Sequence, residues 1–143
     1  MNNYAPLIKV SIYLTGINFN PDDLTSLSGI MPYKTSIRKK AKKEREEAFE
    51  NSWSFKVEKK CYSIDEAINK LLDHIWIKRH EFILFASDNN LEITILCNVH
   101  IDRDSPVYEL NSSTLKQISQ LNASLLMDIY DYTKNVGNSE IEL

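Results

Sequence analysis

Residues 7 to 14 alternate in character. Ile8, Val10, Ile12 and Leu14 fall on one side and Lys9, Ser11 and Tyr13 on the other, the period-two signature of a half-buried strand. Thr15-Gly16 ends it. Asn20-Pro21-Asp22-Asp23 then reads as a helix start, with Asn20 as cap, Pro21 at the first helical position and two acids against the positive end of the helix. Ser28-Gly29 closes that helix early, and a weaker strand is expected over residues 30–37. Trp53, Phe55 and Val57 alternate with Ser54, Lys56 and Glu58 to mark the next strand. Residues 38–51 are thus a charged insert between two strands, and a connection of that length is usually functional, mobile or both.

Ser63 and Glu66 have the spacing of a capping box. Behind them Ile64, Ala67, Ile68, Leu71, Leu72 and Ile75 trace one helical face, with Asp65, Asn69, Lys70 and Asp73 opposite. Residues 76–86 continue this helix or add a second one after a bend, and Asp88-Asn89-Asn90 supplies the turn. A long strand over 91–101 puts Ile93, Ile95, Cys97, Val99 and Ile101 on one face and Glu92, Thr94, Asn98 and His100 on the other. A turn-rich loop over 102–106 leads to a short strand at 107–110. Asn111 or Ser112 then caps a helix carrying Leu115, Ile118 and Leu121 inward. A last strand over 124–132 turns Leu125, Met127 and Ile129 inward, and the polar tail 133–143 is expected to fray.

The pattern predicts a single α+β domain over residues 1–132, with 38–51 as its charged inter-strand insert. Its expected architecture is a two-layer sandwich: a mixed, largely antiparallel sheet with helices packed on one face, and two similar β-helix-β halves around a central long helix. Composition agrees. A chain of 143 residues suits one core, and 43% hydrophobic with 26% charged residues excludes wholesale disorder. No apolar run approaches the roughly 18 residues of a spanning helix. The start, Met1-Asn2-Asn3-Tyr4, lacks the basic and apolar regions of a secretory signal. Cys61 and Cys97 cannot make a disulfide framework and fit a reducing compartment. A cytoplasmic location without membrane contact is the expectation.

The formal net charge of −3 hides a local extreme. The run Arg38–Glu47 holds six of the 17 basic side chains, Arg38, Lys39, Lys40, Lys42 and Lys43 among them, and three of the 20 acidic ones, so the rest of the chain stands at −6. An acidic body with one basic arm lacks the continuous positive stripe that a nucleic-acid backbone needs. The run reads first as a solvated helix turn or loop, with Lys40/Glu44, Lys42/Glu46 and Lys43/Glu47 at i,i+4. Partner docking is the second reading and nucleic-acid binding the third.

Catalytic raw material is sparse. His74 and His80 stand six apart on a helix, about 600° of rotation, and do not share a face. Cys97 and His100 point to opposite faces of a strand, and Cys97 sits among apolar neighbours as a core thiol. His100 near Asp102 and Asp104 could do acid–base work, but no nucleophile or second carboxylate stands at a recognisable spacing. The pairs Asp22/Asp23, Asp102/Asp104 and Asp128/Asp131 follow no calcium-loop pattern, and the three glycines are isolated, so no phosphate cradle forms. No catalytic residue, metal or cofactor is expected. Tyr13, Trp53, Trp76, Tyr108, Tyr130 and Tyr132 read as core and core rim, with some available as interface anchors. Their acidic neighbours Glu92, Asp128 and Asp131 oppose an RNA-binding sheet.

Several segments together resemble a small bacterial family, domain of unknown function 4279. They are Ile12-Tyr13-Leu14-Thr15-Gly16, Phe19-Asn20-Pro21-Asp22-Asp23-Leu24-Thr25, Leu27-Ser28-Gly29-Ile30 with Pro32, Trp53-Ser54, and Leu121-Asn122-Ala123-Ser124-Leu125 with Asp128-Ile129-Tyr130. The resemblance spans residues 7 to 132 in the family's order. It carries no enzymatic activity over, and some members resemble immunity proteins of bacterial toxin systems, contact-dependent inhibition included. It implies a non-enzymatic domain that binds a cognate toxin one-to-one, itself a monomer or weak dimer. An acidic surface would mate with a basic toxin cleft such as that of a nuclease. From charge and exposure the contact surface is expected at Asp102, Asp104 and Glu109, at Asp128, Tyr130 and Asp131, and on the arm Arg38–Glu47. The alternative is a small-ligand or minor enzymatic site built on His100 and Asp102.

Overall fold

The computed structural model describes residues 4–37 and 50–133; the run from Arg38 to Glu47 and the expected tail beyond Thr133 lie outside the described residues. Five strands form one sheet: β1 (Leu7–Gly16), β2 (Lys34–Ser36), β3 (Asn51–Lys60), β4 (Glu92–Ile101) and β5 (Ala123–Asp131). Their order across the sheet is β2-β3-β1-β4-β5. β1 is antiparallel to β3 and β4, β2 is antiparallel to β3, and only β4 and β5 run parallel. Helices α1 (Pro21–Ser28), α2 (Ile64–Ile75), α3 (Arg79–Asn89) and α4 (Ser112–Gln120) complete the α+β sandwich. Both β1-α1-β2 and β4-α4-β5 connect strands of the same direction. They differ in reach: β2 lands beyond β3, whereas β5 lies directly beside β4.

The alternation in the sequence becomes the division between core and open face. Ile8, Val10, Ile12 and Leu14 are fully buried. The register sets Val10 between Val57 and Cys97, Ile12 between Phe55 and Ile95, and Leu14 between Trp53 and Ile93. All six apolar positions on the inner face of α2 are buried with them. Trp53 is wholly enclosed, its ring 5.5 Å from Phe82 of α3 and its Nε1–H donating to Thr25 Oγ1 of α1 at 3.0 Å. One side chain thereby ties β3 to two helices, and burying a large side chain stabilises the fold by roughly 1.5–3 kcal/mol.

Local signals act as the sequence predicts. Asn20 Oδ1 accepts from Asp22 N–H at 3.0 Å, and Gly29 ends α1 at φ 70°, left-handed backbone that glycine adopts without a Cβ penalty. Ser63 Oγ accepts from Glu66 N–H at 3.1 Å. The expected bend after α2 is a 3-10 turn at Trp76–Lys78. Gly16 has a different purpose: a Cβ there would collide with the Leu91 side chain, so the end of β1 and the entry to β4 approach because the residue is glycine.

Four expectations are corrected. The strand at 30–37 shrinks to three residues. The strand at 107–110 is only a bridge between Ser63 and Val107. In α4 the buried face begins at Thr114 and continues through Ile118, leaving Leu115 exposed. Ile129 points to the helix side yet is exposed, because β5 is the sheet's edge and its side chains have a neighbouring strand on one flank only. Among the described residues no helix is long and apolar enough to cross a membrane.

Candidate functional site

Among the described residues no element packs over the face of the sheet away from the helices, and the strand register dictates what stands on it. Lys56, Ser11, Leu96 and Leu126 make one row, Glu58, Lys9, Asn98 and Asp128 the next, and Lys60, Leu7, His100 and Tyr130 the one at the sheet's end. The parallel pairing of β4 and β5 sets His100 opposite Tyr130. Their rings stack with centroids 4.9 Å apart and planes 16° from parallel. Tyr132 joins from beyond the strand end, 6.0 Å away at 19°, and its hydroxyl lies 3.0 Å from His100 Nδ1. Tyr130 donates its hydroxyl to Asp128 at 2.7 Å. Three rings and a carboxylate therefore form one array, with the tyrosines and the carboxylate exposed and His100 half-buried.

Partial burial is the main cause that pushes the His100 pKa below its ordinary value, with Lys9 adding to it and Asp128 and Glu58 opposing. Neutral imidazole is thus the form the array holds near neutral pH. The hydrogen bond to Asp128 pushes the Tyr130 phenol up, so this ring keeps its proton and donates. Toward the sheet's other edge Lys56 lies 4.0 Å over the ring of Tyr33 and 3.5 Å from Glu58. The lysines of the open face therefore belong to β1, β2 and β3, while β5 is acidic and aromatic.

The expected contact residues divide among three places. Asp128 and Tyr130 stand on the open face. Asp131 closes β5 opposite Ile101, and there its carboxylate accepts from Thr133 N–H at 3.0 Å. Asp102 and Asp104 follow in the loop beside that end, with Asp104 accepting from Tyr62 OH at 2.7 Å. Glu109 departs from them: its loop crosses to the head of α2, where Val107 N–H reaches Tyr62 C=O at 2.7 Å and Asn111 N–H reaches Asp65 Oδ1 at 3.0 Å. Arg38, Lys39, Lys40, Lys42 and Lys43 lie outside the described residues. The pairing of His100 with Asp102 is replaced by His100 with Tyr132 and Tyr130. Reading the aromatics as core and rim holds for Trp53, while Tyr108, Tyr130 and Tyr132 are exposed.

Two residues acquire partners that the sequence reading did not give them. Asp65, apparently a solvent-facing acid of α2, accepts from Asn111 N–H and Nδ2–H, both at 3.0 Å, and from Asn69 Nδ2–H at 3.1 Å. Asn69 also donates to Thr114 Oγ1 at 2.9 Å, so this network fastens α4 to α2. Tyr132 becomes a ring partner of a histidine 32 positions earlier, which only a parallel β4–β5 register reveals.

Two cavities among the described residues lie away from His100. One of about 280 Å³ is lined chiefly by Ile83, Ala86, Leu91, Ile93 and Leu121 and contains no acid or base. The other, about 350 Å³, opens beside Gly16, Glu50 and Glu92 at the end of the sheet remote from His100. Among the described residues no group of three metal-ligating side chains gathers. Burial pushes the Cys97 thiol up to about 12, which keeps it protonated as a core thiol.

Fold and site together define an α+β domain in which, among the described residues, one sheet face and the edge strand β5 have no element packed over them. The chain belongs to the family described as Domain of unknown function (DUF4279), whose model matches residues 6–132. No curated protein and no solved structure matches it significantly.

Proposed function

We propose that this chain is a partner-binding domain of the immunity type, neutralising a cognate bacterial toxin domain by one-to-one association. The observation that carries the reading is the array Asp128–Tyr130–His100–Tyr132 on the sheet face that no described element covers, with Asp131 closing β5 and Asp102 and Asp104 in the loop after β4. Aromatic rings give contact area at low entropic cost, and tyrosine is among the residues that dominate interface energy. A row of carboxylates around them steers a basic surface to the site and disfavours an acidic one. The resemblance to a family with immunity-like members points the same way.

The test is co-expression with whatever toxin-like domain a neighbouring gene encodes, scoring growth and then co-purification. Rescue with a stable one-to-one complex supports the reading, and Asp128→Lys and Tyr130→Ala should each weaken that complex. Continued toxicity with no complex overturns it for that pairing. A small-ligand site at His100 has in its favour the neutral imidazole beside two phenols. It would reveal itself as a thermal shift with a small molecule and no protein partner, abolished in His100→Ala.

A further inference from the structure

The second edge of the sheet is built for pairing. β5 runs nine residues with no lysine and no proline, two of the devices that natural edges use to prevent strand addition. Leu126 is 56% exposed, Ile129 49% and Tyr130 41%, so apolar surface is uncovered on both faces of the same strand. Among the described residues no strand lies beyond it. Its main-chain geometry is fixed by one contact: Tyr132 N–H donates to Ile101 C=O at 2.9 Å. Alternate residues of a strand turn their N–H and C=O to opposite sides. The even-numbered positions therefore bond to β4, and Leu125, Met127 and Ile129 present theirs outward.

We propose that two copies of this chain associate about a two-fold axis by antiparallel pairing of β5 with β5, in the register that sets Leu126 opposite Leu126. The proposal is independent of the immunity reading. Outward groups must meet outward groups, so only registers that pair odd positions with odd ones are possible. A register centred on Asp128 opposes two carboxylates, which is destabilising. One centred on Met127 sets Leu126 against Asp128. The register centred on Leu126 has neither fault. It matches Leu125 with Met127 and Ala123 with Ile129 on the helix side, and Leu126 with Leu126 and Ser124 with Asp128 on the open side. Ala123, Leu125, Leu126, Met127 and Ile129 then each face an apolar side chain, Tyr130 lies beyond the paired stretch, and the carboxylate faces a hydroxyl that can donate to it. The same patch meets itself, as a closed two-fold interface requires, and the two sheets become one continuous sheet.

Sedimentation equilibrium of the full chain, from micromolar to near-millimolar concentration, should show a reversible monomer–dimer equilibrium. Leu126→Lys places two ammonium groups on the axis and should leave monomer only, with a melting temperature equal to the wild type's at concentrations where both are monomeric showing that the exposed substitution has not disturbed the fold. The register has its own readout. Directly opposed residues of a non-hydrogen-bonded pair have Cα atoms about 4.5 Å apart, inside the roughly 4.4–6.8 Å range of a disulfide. Leu126→Cys should therefore cross-link to a covalent dimer under mild oxidation, while Ser124→Cys and Asp128→Cys should not. The natural thiols, Cys61 and Cys97, are buried and do not compete.

A chain that stays monomeric throughout and fails to cross-link at Leu126→Cys overturns the proposal. So does a dimer that survives Leu126→Lys, which would place the interface elsewhere. If only a chain ending at Thr133 dimerises, the chain's own tail occupies the edge. If the edge is protected only after a toxin domain is added, that partner is its occupant. Either result excludes a second copy.

Discussion

The two edges of the sheet solve the same problem in opposite ways. β2 is three residues long, contains Lys34 and pairs with only Lys34↔Ser54, Thr35↔Trp53 and Ser36↔Ser52. So short an edge offers little template for another strand. What holds that side together is beneath it, where Trp53 bonds to Thr25 and packs on Phe82. β5 offers nine residues, exposed apolar side chains and an acidic, aromatic face. Its attachment is the ladder to β4 and the lean of α4. One edge is a three-residue strand lying over an enclosed core; the other is a nine-residue strand held by a full ladder to β4, with exposed side chains along it.

The largest test of that contrast is at Trp53. Trp53→Ala removes a fully enclosed ring and the hydrogen bond it donates to Thr25 Oγ1, and should cost about 3–5 kcal/mol of stability, read by urea unfolding. Leu126→Ala, on the opposite edge, should stay within about 0.5 kcal/mol. Comparable losses at both positions would mean that β5 is part of the core, and the contrast would fail.

Next in size is the network that positions the β5 side. Asp65→Ala removes the acceptor of Asn111 and Asn69 at the junction of α2 and α4. Hydrogen bonds to a charged group contribute about 1.5–3 kcal/mol, and a loss in that range is expected. Hydrogen exchange should localise the change to α4 and β5 and leave β3 protected. Uniform loss of protection would show that the two sides unfold as one unit and are not separately held.

How much of this was legible in the sequence follows from the range of each interaction. Ile8 to Leu14, the Asn20 and Ser63 caps, Gly29 and the face of α2 are set by residues within a turn or two, and they stand where the pattern puts them. The sheet's edges are not local. Ile129 has the inward parity of Leu125 and Met127 but is exposed, because alternation does not say whether a strand has one neighbour or two. Leu115 lost its place to Thr114, an apolar residue giving way to a hydroxyl that Asn69 satisfies. The candidate site was half legible: Asp128 and Tyr130 could be picked from charge and exposure. The stack of His100 on Tyr130 and Tyr132 needs the β4–β5 register, so the nearer Asp102 drew attention as its partner.

The smallest effect expected is at His100, and it reports on both the array and its partner. Its pKa in the fold is below the ordinary histidine value of about 6.5, with partial burial the first cause and Lys9 the second. Above that ordinary value both folded and unfolded chains hold neutral imidazole, and the full contribution to stability is present. As pH falls below it the unfolded chain takes the proton first, so stability drops until the folded histidine titrates as well. Melting temperatures of the wild type should therefore fall more between pH 7 and pH 5 than those of His100→Gln. The carboxylates common to both cancel in the comparison. An equal decline in the two proteins would mean that the fold does not perturb His100. The same proton tests the sign of a partner: a basic surface against Asp128 should lower the NMR titration midpoint of His100 further, because it brings positive charge beside an imidazole that would have to become positive. A midpoint that rises on binding would identify an acidic partner and remove the electrostatic basis of the immunity reading.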